Sequence, residues 1–215
     1  MDVSLALDEA RSERRLKAAD RSREQTRARL ITSGKQLFAK RGLHGVTTHD
    51  IARRAGVAAG TFYLHFKDKT ELFREIAVET MAELRRLMDS VNQAEVSVRD
   101  GVGPRVTALV GFAETNRDVM MIIFGNDTEA AEIESELLDK FAADIARGRS
   151  LKVESGEMPA ELDPAVVSQA LVGMLLRVIR WWLEDPSRVT RETLIETLTR
   201  IQLSGTHPKI EHDKR

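Results

Sequence analysis

The sequence predicts an all-α protein, and three observations support this fold class. Apolar residues recur at intervals of three and four through most of the 215 residues, the spacing that places them on one face of a helix. Aromatic residues make up only 5% of the chain and charged residues 31%, as in soluble helical proteins. A glycine turn also separates two predicted short helices. We therefore expect an N-terminal three-helix domain followed by a larger helical domain.

Composition excludes several classes of site. The chain has no cysteine, so it can form neither a disulfide nor a thiolate metal site. Its five histidines are scattered, without metal-ligand spacing and without a glycine-rich phosphate loop, so we predict no enzyme, cofactor or metal. The charged N-terminus is unlike a signal peptide, and Arg177 and Arg180 interrupt the longest apolar segment, 164–183. We accordingly expect a cytoplasmic protein that does not cross a membrane.

Charge is distributed unevenly along the chain. The segment from Arg14 to Lys69 has 14 Lys and Arg against 4 Asp and Glu, a net charge of +10, although the whole chain is at −1. Residues 70–215 carry a net charge of −8. A basic block of this kind is typical of a surface that contacts nucleic-acid phosphates, whereas the acidic remainder would be repelled by DNA.

The first 21 residues form a predicted extension of mixed charge. One interpretation is a frayed, disordered tail, since chain termini are often poorly ordered. The other is a basic arm that contacts DNA beside the main site, as the N-terminal arm of homeodomains does. Its candidate side chains are Arg14, Arg15, Lys17 and Arg21.

The first predicted helix runs from about Ser22 to Arg41. Leu30, Ile31, Leu37 and Phe38 recur along it at helical spacing, and Gly42 is a plausible stop. Gly34 lowers helix stability by up to about 1 kcal/mol relative to alanine, so we expect close packing at that point.

Two short helices follow. Thr47 can cap the first, which runs to about Ala55, and Asp50 stands three residues later, as in a capping box. Gly56 supplies the turn. The second helix covers about 58–65 and turns Phe62 and Phe66 inward. This is the helix-turn-helix pattern, in which the second helix enters the major groove of DNA.

The second short helix contains no Lys or Arg, which are the commonest base-reading side chains. Thr61 can donate or accept a hydrogen bond, and Gly60 permits close approach of the backbone. Apolar side chains that can contact thymine methyl groups are Ala58, Ala59 and Leu64. Arg53 and Arg54 on the first short helix lie near enough to assist, unless they are simply solvated surface side chains.

The run 47–73 resembles the DNA-binding domain of the TetR family of bacterial transcriptional regulators. The residues that carry this resemblance are Thr47, Asp50, Ile51, Ala52, Ala55, Gly56, Val57, Gly60, Thr61, Tyr63, His65, Phe66, Lys69, Leu72 and Phe73. With the preceding helix it covers 23–73, under a quarter of the chain. The rest is similar to the family in length and helical pattern only.

The resemblance implies a set of DNA contacts. Tyr63, His65, Lys67 and Lys69 are implied phosphate contacts, and the predicted DNA-contacting set also includes Thr47 and Thr48. Family members commonly carry a basic or polar residue where this chain has Ala59. We therefore expect DNA shape and phosphate contacts to matter more here than base hydrogen bonds.

The remaining segments predict helices of a second domain, 68–203. Asp68 and Glu71 begin a predicted helix that runs to about residue 91. In the resembling family this helix links the DNA-binding head to the body. The segment 94–103 is a predicted loop, and Pro104 starts the next helix. A dense apolar run at 119–124 ends at Gly125 and Asn126. A long helix covers about 128–153.

Two C-terminal helices complete the predicted domain. Asp163 and Pro164 start a helix to about 183 that is apolar almost all round, and a last helix covers about 190–203. A helix apolar on every side must be buried on every side, so one face can serve a partner subunit. The two helices resemble the dimerisation pair of the family. We expect 204–215 to be a disordered tail.

A ligand site is implied by the resemblance, because family members generally hold a small molecule in the helical body. The candidate residues are Met88, Phe112, Met120, Met121, Phe124, Arg177 and Trp181. Methionine adapts to varied apolar shapes, but the same stripe is also what an ordinary core contains. Arg177 and Arg180 could bind a carboxylate ligand, or pair with Glu114 or another acid.

These observations predict a homodimeric regulator that binds double-stranded operator DNA and is a repressor released by a small, largely apolar effector. Two alternatives stay open at this point. One is a DNA binder that responds to no ligand, and the other is a helical enzyme or ligand carrier with an incidental helix-turn-helix. Specific DNA binding, and its response to small molecules, would discriminate between the three.

Overall fold

The computed structural model describes residues 3–92, 97, 99–125, 130–158 and 161–205, with side chains from Glu13 onward apart from Leu16. Those parts of the chain contain nine α-helices and no strand. The helices are α1 (Val3–Arg41), α2 (Thr48–Arg54), α3 (Ala59–Phe62), α4 (Lys69–Asn92), α5 (Val102–Thr115), α6 (Arg117–Ile123), α7 (Ala131–Glu154), α8 (Pro164–Glu184) and α9 (Arg191–Ser204). The all-α prediction is confirmed.

The chain divides into two compact units, Met1–Ile76 and Ala77–Arg215. The division falls inside α4, whereas the sequence places the functional boundary at residues 67 and 68. That functional boundary, and the disordered tail, stay predictions, and 206–215 lie outside the described residues.

The N-terminal unit packs α1, α2, α3 and the first turns of α4 around aromatic side chains. Phe38, Phe62 and Phe73 are almost completely buried, and the rings of Phe38 and Phe73 meet edge to face at 5.9 Å. A Cβ on Gly34 would lie 2.8 Å from Leu72 Cδ2, which confirms the expected close packing of α1 on α4. This core fixes the positions of the two short helices.

Helix α1 begins at Val3, 19 residues before the predicted start at Ser22. The segment 3–33 contains neither glycine nor proline, and it is rich in Ala, Leu, Arg and Glu, which favour helix. Nothing in that composition ends a helix at Ser22. The predicted helix start at Ser22 is therefore wrong, because residues 3–21 continue α1. That 1–21 extend beyond the DNA-binding domain stays a prediction.

The cap of α2 and the turn that follows it form as predicted. The backbone N–H of Asp50 donates to Thr47 Oγ1 at 3.1 Å, and the Thr47 N–H donates to Asp50 Oδ2 at 3.2 Å. Gly56 has φ +68°, a left-handed conformation that only glycine adopts without strain. Helix α3 is shorter than expected, because hydrogen-bonded turns replace it from Tyr63 to His65.

The C-terminal unit is a layer of helices in which α7 packs on α8 and α5 packs on α9, with α6 against all three of α5, α7 and α8. The Asp163 carboxylate accepts hydrogen bonds from the N–H groups of Ala165 and Val166 at 2.9 Å, so the predicted cap of α8 is confirmed. Asn116 divides α5 from α6, a break that the sequence pattern does not predict.

The sequence also predicts where α7 starts and which acids pair with the α8 arginines. Helix α7 begins at Ala131, and the predicted start at Thr128 lies outside the described residues, as does Asn126. Of the acids expected to pair with the α8 arginines, Glu114 accepts from Arg191 Nε at 2.9 Å instead. Arg180 pairs with another acid, Glu184, four residues along its own helix, which is the other alternative that the sequence left open.

Candidate nucleic-acid interface

Among the side chains that the structure describes in the N-terminal unit, the most exposed large apolar ones lie directly after α3. Tyr63 is 60% exposed and Leu64 is 71% exposed, in a unit whose other aromatic residues near α3 are buried. The Tyr63 hydroxyl lies 3.0 Å from Thr48 Oγ1, a hydrogen bond in which either group can donate. Thr48 therefore holds the phenol at the surface where the two short helices meet.

The start of α2 carries a polar network. Thr47 Oγ1 donates to Asp50 Oδ2 at 2.8 Å, and Arg53 Nη2 donates to Asp50 Oδ1 at 2.7 Å. These hydrogen bonds from Thr47, and the nearby charges of Arg53 and Arg41, lower the pKa of Asp50. The carboxylate thus stays ionised and keeps the Arg53 guanidinium at the surface.

The N-terminal part of α3 presents small side chains. Ala59 and Gly60 are exposed and Thr61 is half-buried. No atom lies within 4 Å of the place where a Cβ on Gly60 would stand, so the backbone here faces open space. A partner surface can approach this backbone closely, as the sequence predicts.

The predicted cationic residues divide into two groups. Lys67 and Arg53 are exposed, as phosphate contacts require. Lys69 is half-buried and its ammonium donates to the Leu43 carbonyl at 2.9 Å, so it ties α4 to the end of α1. Arg54 donates through Nε to Gln36 Oε1 at 2.8 Å, at an open depression of about 510 Å³ beside α1.

His65 is half-buried, and its Nδ1 atom is buried without a hydrogen-bond partner among the described residues. Burial is the main cause that lowers the pKa of His65, and the charges of Arg23 and Arg27 lower it further. The His65 side chain therefore lies beside the middle of α1, next to two cations.

Arg23 and Arg27 are absent from the predicted contact set. Arg27 donates to the Glu75 carboxylate, and its guanidinium stacks over the Phe66 ring at 5.3 Å. Arg23 is exposed one turn earlier. The sequence contains a usable signal, a four-residue spacing of arginines on one face of α1, but the proximity of this face to the end of α3 is a tertiary feature.

The predicted ligand residues occupy different environments in the C-terminal unit. Met120 and Phe124 are 2% and 4% exposed, and Met88, Phe112 and Met121 are half-buried. Arg177 is exposed, and Trp181 is 37% exposed with the Arg188 guanidinium stacked 5.1 Å from its ring centroid. The structure does not bring these seven residues together as one buried set.

Helix α8 leaves one face uncovered. Its exposed residues recur at intervals of three and four, and include Val166, Ala170, Gly173, Arg177 and Trp181. Among the described residues, α8 is the one helix whose length and hydropathy would suit a membrane span, and a third of that window is buried. The described residues contain no group of three or more His, Cys, Asp or Glu suited to a metal ion.

Comparison with known proteins identifies the same region. Residues 30–76 match the family model described as bacterial regulatory proteins, tetR family. The uncharacterised HTH-type transcriptional regulator YdgC of Bacillus subtilis is 26% identical over 180 residues, covering 79% of this chain and 89% of that protein. The transcriptional regulator TtgR of Pseudomonas putida is 29% identical over 178 residues, covering 77% and 84%.

Solved structures have the same fold over both units. The fatty acid degradation regulator FadR of Bacillus halodurans aligns with a TM-score of 0.74 and 23% identity, covering 85% of this chain and 97% of that chain. FadR of Bacillus subtilis, solved in complex with stearoyl-CoA, aligns with a TM-score of 0.71 and 19% identity, covering 84% and 99%.

The helix-turn-helix geometry, the basic N-terminal unit and these similarities agree with one another. Residues 30–76 match the helix-turn-helix domain of tetR-type regulatory proteins, and the chain is similar over most of its length to helix-turn-helix transcriptional regulators.

Proposed function

We propose that the protein is a cytoplasmic homodimer that represses transcription from an operator and is released from it by a small, largely apolar effector. The observation that carries the proposal is the exposed pair Tyr63 and Leu64 beside the uncovered backbone of Gly60. A soluble protein leaves such side chains exposed together where a partner surface will cover them.

The proposed DNA contacts follow from this surface. Thr61, Leu64 and the α3 backbone face the base edges, with Ala59 against thymine methyl groups. The phosphate contacts are Tyr63, Thr47, Thr48, Arg53 and Lys67. His65 and Arg54 lie at the margins, and Lys69 acts indirectly, because its ammonium holds the Leu43 carbonyl. Readout then depends largely on DNA shape and backbone contacts.

The proposed dimer uses the uncovered face of α8 together with α9, over residues 163–183 and 190–203. Gly173 has open space where a side chain would stand, and the apolar Val166 and Trp181 lie on the same face. A second copy of the chain would bury this face and place two heads on one duplex. Their half-sites should then be about 34 Å, or a multiple of it, apart.

The proposed effector binds in the C-terminal unit. Its candidate residues are the buried Met120 and Phe124 and the half-buried Met88, Phe112 and Met121. The fatty acid regulator that is similar to this chain is known in complex with stearoyl-CoA, which makes a long-chain acyl-CoA the first effector to test. Helix α4 belongs to both units, so a shift of α4 is the proposed route from effector to DNA.

The test is fluorescence anisotropy of the full-length protein on DNA from upstream of its own gene, against shuffled DNA of equal composition. We expect preference for the upstream DNA, and loss of at least tenfold in affinity in Leu64→Ala. Leu151→Ala is the matched control, because Leu151 is a leucine of similar exposure on α7. Stearoyl-CoA should then weaken binding of the wild-type protein.

The outcomes separate the parts of the proposal. Equal affinity for both DNAs, unchanged in Leu64→Ala, would refute operator recognition through this surface. If the protein binds the operator specifically but no acyl-CoA or other apolar compound changes its affinity, the proposed release by an effector is refuted. Operator recognition would still stand.

A further inference from the structure

The described side chains in the first part of α1 lie open to solvent. Every described side chain from Glu13 to Gln25 is exposed, and from Glu13 onward the first fully buried residue that the structure describes is Leu30. An isolated helix of this length is marginal in water, because helices in proteins are held mainly by packing of an apolar face. The described part of this segment has no such face.

Its charge indicates the kind of surface that would cover it. Between Glu13 and Glu24 the chain has five Lys and Arg against three acids, a net charge of +2. Lys17 Nζ donates to Glu13 Oε1 at 2.6 Å, an exposed ion pair of the kind that contributes little and that a phosphate can replace. At 100° per residue, Arg14, Lys17 and Arg21 fall within about 60° of one another and span roughly 10 Å along the axis. A narrow stripe of long cationic side chains on an exposed helix suits a polyanion.

The segment that carries the stripe leads along α1 toward the DNA-facing surface. Further along α1, on a face roughly 130° from the stripe, Arg23 and Arg27 lie close to His65, which follows the exposed pair Tyr63 and Leu64. Arg27 is fixed there by the Glu75 carboxylate and the Phe66 ring. The basic half of α1 therefore starts beside the proposed DNA surface and belongs to the same compact unit.

We propose that the stripe of Arg14, Lys17 and Arg21 on α1 is a second DNA-contacting element, which binds backbone phosphates outside the contacts of α2 and α3. The occupant is duplex DNA, and the contacts carry no base specificity because they are made to phosphates. This inference rests on the DNA binding proposed above and adds to it a sequence-independent contact, which strengthens binding to operator and flanking DNA alike.

The first test is a salt series with a triple variant, Arg14→Gln, Lys17→Gln and Arg21→Gln, in the full-length protein. Each lost phosphate contact lowers the slope of log K against log salt by about 0.9, so the slope should fall by up to about 2.7 per protomer. Affinity near physiological salt should drop at least tenfold, while the ratio of operator to shuffled-DNA affinity stays unchanged.

The matched control is Arg86→Gln, Arg99→Gln and Lys140→Gln, three exposed cations of the C-terminal unit that give the same change in net charge. A triple variant of α1 that behaves like this control would overturn the proposal. If the wild-type protein binds operator and shuffled DNA equally, that result contradicts the proposed function. The salt dependence of binding to any duplex then still tests the α1 stripe.

A second readout needs no substitution. Backbone amides of 13–25 should exchange rapidly with deuterium in the free dimer and slow at least tenfold when DNA is bound, because the helix gains a partner. Exchange that is already slow without DNA and depends on protein concentration would mean that a second copy covers this helix, and the proposal would be wrong.

Discussion

At the scale of single residues, two glycines of the helix-turn-helix have opposite roles. Gly56 has φ +68° in the turn after α2, whereas Gly60 lies in α3 with open space around its missing side chain. Gly56 is required because of its left-handed backbone conformation, whereas Gly60 is required because the proposed DNA approaches the backbone there.

Substitution by alanine should separate these roles. Gly56→Ala should destabilise the protein by about 1–2 kcal/mol, because an L-residue is strained in the left-handed region. Gly60→Ala should leave the free energy of unfolding unchanged or raise it by up to about 1 kcal/mol, since alanine favours helix. Its DNA affinity should nevertheless fall, because the added methyl group faces the proposed DNA. Urea unfolding measures the free energy of unfolding, and anisotropy measures the DNA affinity. A Gly56→Ala variant as stable as the wild-type protein would show that the turn does not require glycine.

His65 gives the N-terminal unit a pH dependence. Its pKa is below the usual value in the folded state, owing to burial and to Arg23 and Arg27, so the unfolded chain binds a proton more readily. Stability should be unaffected above about pH 6.5, fall as the pH drops below it, and level off below the folded-state pKa.

Urea midpoints from about pH 8 to about pH 5 measure this effect against His65→Gln, in which the loss on acidification should be smaller. His49→Gln, at an exposed histidine of the same unit, is the control and should behave like the wild-type protein. Identical pH profiles for His65→Gln and the wild-type protein would show that His65 does not contribute.

At the scale of elements, the uncovered face of α8 should determine the oligomeric state. A Gly173→Arg substitution places a charged side chain in the centre of the proposed interface, at a position where a Cβ would have open space within the same protomer. We expect a monomer that keeps its helical content and binds operator DNA at least tenfold more weakly.

Sedimentation velocity gives the mass of this variant, and Ala143→Arg on the exposed side of α7 is the matched control. A dimeric Gly173→Arg protein of normal affinity would place the interface elsewhere.

The elements themselves were predictable wherever the signal was local. The Thr47 cap, the turn at Gly56 and the cap at Asp163 each depend on residues within four positions, and all three were correctly predicted. The failures have physical reasons. Nothing in the sequence marks Asn116 as a break, and the start of α1 could not be placed because a helix-forming sequence has no boundary of its own.

At the scale of the whole molecule, the site was less predictable than the fold. The exposure of Tyr63 and Leu64 agrees with the helix-turn-helix pattern, but the tie between Lys69 and Leu43 and the proximity of Arg27 to Phe66 depend on side chains far apart in sequence. The ligand residues are harder still, because buried methionine and phenylalanine look alike in a core and in a pocket.

The placement of the chain's few strong chromophores has a practical consequence. The single tyrosine, Tyr63, is in the N-terminal unit, and both tryptophans, Trp181 and Trp182, are in the C-terminal unit. Trp182 is buried with its indole N–H on the Val189 carbonyl, while its neighbour Trp181 lies on the uncovered α8 face. The natural protein thus carries its own optical labels. Tyrosine emission reports on the head, and quenching of tryptophan emission reports on whether a second copy covers α8.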